Sequence, residues 1–142
     1  MKKKLMLIIS SGCMVISIVL MLLPTSARLL FASPTERLIK TYSYIDMMVW
    51  GYGNFFPILT FALSLIVLIV ILWTLLSRKY GRIREMALKT CSVICLATSA
   101  LSLLLFSSIS NEAIMICILL FMSTLLLFIF FYLKKKSVIN SK

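Results

Sequence analysis

The sequence predicts an all-α fold: a transmembrane four-helix bundle with a short extracytoplasmic amphipathic helix between the first two spans. Hydrophobic residues make up 62% of the 142 residues and charged residues only 13%, whereas about a quarter of a soluble domain is charged. Four apolar stretches of spanning length contain no Asp, Glu, Lys or Arg, which is typical of transmembrane helices. We therefore expect a single integral membrane domain over residues 1–142.

The four predicted spans lie at about 5–23, 57–76, 90–110 and 113–133. As a helix, the first stretch is about 28 Å long, close to the bilayer core of about 30 Å. An alternative is that residues 1–27 are a cleaved signal peptide, because three lysines precede the apolar run and Thr25-Ser26-Ala27 is a small-residue cleavage pattern. The run exceeds the usual signal-peptide core of about 7–15 residues, which favours a span.

The long loop, residues 24–56, contains a helical pattern. Ser33-Pro34-Thr35-Glu36 is typical of a helix start. Apolar residues then recur at intervals of four, three and four: Leu38, Tyr42, Ile45 and Val49. This period predicts an amphipathic helix over about 34–48 on the membrane surface or over the bundle. After Gly51 and Gly53, we expect Asn54 to cap the second span and Pro57 to occupy its first turn. Asn111 is expected to cap the fourth span.

The distribution of basic residues predicts the orientation. Three lie in residues 2–4, five in the loop 77–89 and four in residues 134–142, against three in the loop 24–56. By the positive-inside rule, both termini and the loop 77–89 are cytoplasmic and the loop 24–56 is outside. The net charge of +11 predicts contact with anionic lipid headgroups at the cytoplasmic face, and no nucleic-acid partner.

Small residues form two stripes with helical spacing. One is Ser10, Cys13 and Ser17 in the first span, and the other is Ser92, Cys95, Ser99 and Ser102 in the third. Such residues let helix backbones approach closely in lipid, so we expect the stripes to face each other or the bundle centre. The alternative is a polar solute pathway along the third span. We expect the second and fourth spans, which are almost purely apolar, to face lipid more.

The sequence predicts no enzyme, no catalytic residues, no metal site and no cofactor. It contains no histidine, and no ionisable carboxylate or amine lies within a span, although intramembrane chemistry normally needs such groups. Cys91 and Cys95 lie four residues apart. Two thiols alone are a weak metal signal, and acylation of Cys91 is an equally weak reading.

The candidate functional stretch is 42–57, where aromatic and turn-forming residues gather in the exterior loop. An aromatic belt at the headgroups explains part of this pattern, and a recognition surface explains it equally well. The candidate partner-binding residues are Tyr42, Tyr44, Asp46, Trp50, Tyr52 and Asn54.

Two runs in this stretch carry a family resemblance: Tyr42-Ser43-Tyr44-Ile45-Asp46 and Gly51-Tyr52-Gly53-Asn54-Phe55-Phe56-Pro57. They resemble a pattern in an uncharacterised family of small four-span bacterial integral membrane proteins. The resemblance implies four helices with this loop outside, and no known activity.

The predicted function is that of a non-catalytic accessory protein that binds a partner or a lipid through the loop 42–57. The partner would be another membrane protein, a peptide or a lipid, and a homo-oligomer is also possible. The alternative is an oligomeric small-solute transporter or channel subunit that uses the third-span stripe.

Overall fold

The computed structural model describes residues 2–32, 37–46, 55–77, 81–105 and 110–139. Its elements, in chain order, are α1 (Lys2–Leu22), β1 (Ala27–Ala32), β2 (Arg37–Tyr42), α2 (Phe56–Leu76), α3 (Arg82–Leu105) and α4 (Asn111–Ile139). All four helices are long and apolar enough to cross a membrane. The predicted four-helix bundle is confirmed, and the chain is a multi-pass membrane protein.

The helices pack in a ring in which each contacts its neighbours in sequence and α1 also contacts α4. The α1–α4 interface is the most extensive, followed by that between α2 and α3. We call the end that carries the strands the loop end; α1 and α3 finish there. The opposite end, where α2 finishes at Leu76 and α3 begins at Arg82, is the basic end.

Buried positions in every helix recur at alternating intervals of three and four. In α1 they are Leu7, Ser10, Met14, Ser17 and Met21. In α2 they are Pro57, Thr60, Ser64, Val67, Ile71 and Thr74. This heptad spacing is the pattern of helices that cross at a shallow left-handed angle.

The bundle interior is rich in hydroxyl groups, and its outer surface is apolar. Ser10, Ser17, Thr60 and Ser64 are fully buried, while large Leu, Ile, Val and Phe side chains cover the exposed helix faces. In lipid this distribution is favourable, because small hydroxyl residues let the backbones approach and bond to carbonyls of their own helix.

The expectation that the second and fourth spans face lipid more is wrong for the fourth span, whereas α2 is, together with α1, the least buried of the four. Of the four spans, α4 is the most buried, and both helices turn hydroxyl groups inward, including Ser64 and Ser123. A few small residues at heptad positions suffice to create a packing face, so the apolar average of a span does not predict its exposure.

The predicted amphipathic helix over 34–48 is replaced by a two-stranded antiparallel sheet. Strand β1 pairs with β2 from Ala27 opposite Tyr42 to Ala32 opposite Arg37. A strand is favoured by the residue types of Ile39, Thr41 and Tyr42. A strand also needs backbone hydrogen-bond partners from a second strand, and β1 provides them. The predicted helix start at 33–36 lies outside the described residues.

Three helices extend beyond the predicted spans at the basic end: α1 begins at Lys2, and the differences for α3 and α4 are larger. Helix α3 begins at Arg82, inside the predicted loop 77–89, and α4 continues to Ile139. Charged residues end a span but not a helix: the first turns of α3 consist of good helix formers, and Lys89 donates to Glu85 at 2.7 Å, one helical turn away. Pro57 lies in the first turn of α2 as predicted.

Candidate functional site

Tyr44 anchors the loop between α1 and α2 to the loop end of the bundle. Its side chain is fully buried, and its backbone N–H donates to the Met21 carbonyl at the end of α1 at 3.0 Å. Its hydroxyl interacts with Ser102 of α3. Burial raises the pKa of Tyr44, and the contact with Ser102 partly opposes that effect, so the phenol stays neutral in the folded protein at ordinary pH.

A hydrogen-bonded turn, Ser43–Asp46, holds Tyr44 in this position. The Ser43 N–H donates to Oδ2 of Asp46 at 2.6 Å, and the Ile45 N–H donates to Oγ of Ser43 at 3.3 Å. A bond to an ionised carboxylate is stronger than a neutral one. The turn buries Tyr44 while leaving Ile45 and Asp46 exposed on the outer side.

Ser26 and Ser110 connect the loop to α4. The Ser110 hydroxyl donates to the Ser26 carbonyl at 2.8 Å, and its oxygen accepts the Ala113 N–H at 3.1 Å. Ser110 is therefore the N-cap of α4, and the predicted cap, Asn111, is instead its first helical residue. The Ser26 hydroxyl lies 2.8 Å from the Leu23 carbonyl and 3.4 Å from the Tyr42 carbonyl.

Ser110 was missed as a functional position because the third span was extended through it. A signal was present: Ser110 is followed by Asn111 and Glu112, and an acidic residue in the first turn is typical of a helix start. The contact with Ser26 was beyond sequence reasoning, since those residues are 84 positions apart.

The two predicted small-residue stripes lie inside the bundle but meet other helices rather than each other. The first-span stripe contacts α4, where the hydroxyl oxygens of Ser10 and Ser123 are 2.8 Å apart. Cys13 is half-buried, and Ser17 donates to its carbonyl at 2.9 Å. Of the two expected arrangements, the stripes take the one inside the bundle, since α1 packs on α4 and α2, and α3 packs on α2 and α4.

The third-span stripe packs against α2 and α4. Ser92, Cys95, Ser99 and Ser102 are all buried. The Cys95 thiol donates to the Thr60 carbonyl at 3.7 Å, and next to it the Thr60 hydroxyl donates to that of Thr98 at 3.0 Å. Sequence reasoning missed Thr60, Thr98 and Ser123, although Thr60 and Ser64 show helical spacing in the second span.

The candidate partner-binding residues separate into three groups. Tyr42 is half-buried at the end of β2, and Asp46 is exposed. Tyr44 is inaccessible to a partner because its side chain is fully buried at the loop end, so its predicted role is corrected to that of an anchor. Trp50, Tyr52 and Asn54 lie outside the described residues.

Chemistry-bearing groups are dispersed over the described residues. Among the described residues there is no group of three or more His, Cys, Asp or Glu side chains that would hold a metal ion. The four cysteines are free thiols. The contacts at the loop end are structural: they fix the flank 42–46 of the aromatic stretch to the bundle, and the other flank continues directly into α2.

Comparisons with protein-family models, curated proteins and solved structures gave no match. The resemblance to small four-span bacterial membrane proteins therefore stays a prediction.

Proposed function

We propose that the chain is a non-catalytic accessory protein of a bacterial cell membrane that binds a partner membrane protein or a lipid through the loop 42–57. The anchored position of Tyr44 carries this proposal. Beside the buried ring, Ile45 is 47% exposed, and at the other flank of the stretch Phe55 is 77% exposed. A loop fixed at its base loses less conformational entropy on binding, and exposed apolar groups supply contact area.

The proposed orientation has both termini in the cytoplasm and the loop end outside. The basic end carries the lysines and arginines of α1 and α3, among them Lys4, Arg82 and Arg84. The loop 24–56 contains nearly as many acidic as basic residues. Cytoplasmic loops carry the excess of Lys and Arg, which supports this assignment.

The transporter or channel alternative has less support. A solute pathway along α3 would need space beside its stripe, but Ser99 and Ser102 are fully buried and Ser92 nearly so. Thr124 of α4 lies 3.5 Å from the Ser92 carbonyl. These contacts support a packing role for the stripe. Solute flux through liposomes that contain only this protein would revive the alternative.

Photocrosslinking tests the proposed binding surface. A photoreactive amino acid replaces Ile45 or Phe55 at the loop end, and Tyr132 at the basic end serves as the matched exposed position. We expect one discrete adduct, in native membranes, from the two loop positions and none from Tyr132. Adducts of equal yield from all three positions would contradict the proposal.

Affinity purification in mild detergent then separates the loop from the rest of the surface. The double variant Trp50→Ala, Tyr52→Ala should lose the partner while still inserting into the membrane. The control is the double variant Phe121→Ala, Tyr132→Ala, which removes two exposed aromatic side chains outside the loop and should retain the partner. Retention by both variants would move the binding surface away from the loop.

A further inference from the structure

The basic end carries a second surface, at the corner where α2 ends and α3 begins. The Arg84 guanidinium lies over the Trp73 ring, with its central carbon 4.4 Å from the ring centroid. Trp73 is 56% exposed, so it lies on the outer face of the bundle. A cation over a tryptophan face is attracted by the ring, and this contact orients the guanidinium at the rim of the outer face.

The same corner exposes apolar side chains to an unusual degree. Leu76, the last residue of α2, and Ile83, in the first turn of α3, are each 84% exposed. Met86, one helical turn after Ile83, is also exposed. Leu76 follows Trp73 on a helix that ends at this corner, and Ile83 precedes Arg84 on a helix that begins here, so both lie at the bilayer interface and no deeper than the Trp73–Arg84 contact.

Charge at this corner is positive. Arg82 is exposed and Arg84 half-buried. Glu85 pairs with Lys89, whose Nζ lies 2.7 Å from Oε1, so these two charges offset each other. The segment that joins the helices adds Arg78 and Lys79 in sequence. Tryptophan at headgroup depth with arginine just beyond it suits a lipid phosphate.

We propose that the corner of α2 and α3 binds the headgroup of an anionic phospholipid. Arg84, held by Trp73, and Arg82 engage the phosphate and the added negative charge of the headgroup. The exposed Trp73 ring lies closer to the bilayer centre than Leu76 and is therefore the group nearest the acyl chains. Arginine suits this role because its planar guanidinium forms paired hydrogen bonds to phosphate oxygens. The site is independent of the exterior loop and does not rest on the proposed function.

Fluorescence quenching by brominated lipids tests the site. The chain has two tryptophans, so Trp50→Phe leaves Trp73 as the single emitter. The protein is reconstituted into phosphatidylcholine with increasing brominated phosphatidylglycerol, and in parallel with brominated phosphatidylcholine. We expect phosphatidylglycerol to quench Trp73 at several-fold lower mole fraction. Equal quenching by the two lipids would overturn the proposal.

Substitutions distinguish a site from general surface charge. Arg84→Gln should reduce the preference for phosphatidylglycerol by about fivefold, the effect of one cation near an anionic surface. Arg84→Lys, which keeps the charge but not the planar group, should lose part of it. The matched control is Lys4→Gln, an exposed cation at the same end on α1, which should change nothing. An equal loss with Lys4→Gln, or none with Arg84→Gln, would overturn the site.

Discussion

The loop end and the basic end close the same bundle by different kinds of contact. At the loop end, buried groups join separate elements: Tyr44 contacts α1 and α3, and Ser110 bonds to Ser26. At the basic end, cations lie over rings, Arg84 on Trp73 at 4.4 Å and Lys89 on Phe131 at 4.9 Å.

The two kinds of contact are expected to serve different roles: stability at the loop end, and the proposed recognition of lipid at the basic end. Buried hydrogen bonds and a fully buried aromatic ring are costly to remove, because the cavity or unpaired group that remains cannot be hydrated. Contacts of partly exposed cations contribute little to stability, since water and salt screen them. We therefore expect substitutions at the loop end to destabilise the fold and those at the basic end to change the lipid preference.

The largest expected effect is that of Tyr44→Ala. Removing a fully buried aromatic side chain should lower the free energy of unfolding by about 3–5 kcal/mol. The matched control at the basic end is Tyr132→Ala, whose side chain is 69% exposed and whose loss should change stability by about 0.5 kcal/mol or less. Unfolding by a denaturing detergent in mixed micelles measures both, and equal losses would break the comparison between the ends.

Alkaline pH should lower the free energy of unfolding through Tyr44 at the loop end, by less than the substitution Tyr44→Ala does. Burial raises the pKa of Tyr44 in the folded protein, whereas the unfolded chain keeps the ordinary value of about 10. The contribution of Tyr44 to stability is therefore complete below about pH 10 and is lost, by up to about 1.4 kcal/mol per pH unit, as the pH rises from there toward the folded pKa. Stability of the wild type should fall more steeply than that of Tyr44→Phe above about pH 10. If stability falls equally with pH in the wild type and in Tyr44→Phe, the Tyr44 phenol has the same pKa in the folded and unfolded states, which would contradict the prediction.

The sequence predicted the spans well because they depend on local composition. The second span was predicted at 57–76, and α2 runs from Phe56 to Leu76. At the basic end the predicted spans were shorter than α1, α3 and α4. Charged residues mark where the apolar region of the bilayer ends, but the helices continue beyond that point. Arg82 and Glu85 lie outside the apolar core yet continue α3.

The strands and the role of Tyr44 depend on contacts between distant residues. Leu38 and Tyr42 are four residues apart, a spacing that fits one face of a helix and also one face of a strand. Pairing with Ala27–Ala32 decides for the strand. An aromatic residue in the loop between α1 and α2 is equally suited to a buried anchor and an exposed binding group, and the complete burial of the Tyr44 side chain distinguishes them.

The smallest expected effect on stability is that of Glu85→Gln at the basic end. The Glu85–Lys89 pair has a 2.7 Å contact, but both side chains are about one-third exposed, and such a helical pair contributes about 0.3–0.5 kcal/mol. Unfolding in mixed micelles should therefore barely change. The same substitution removes the acid that follows Arg84 in sequence and pairs with Lys89, so brominated phosphatidylglycerol should quench Trp73 more strongly than in the wild type. A large loss of stability without a change in quenching would reverse the roles that we assign to the two ends.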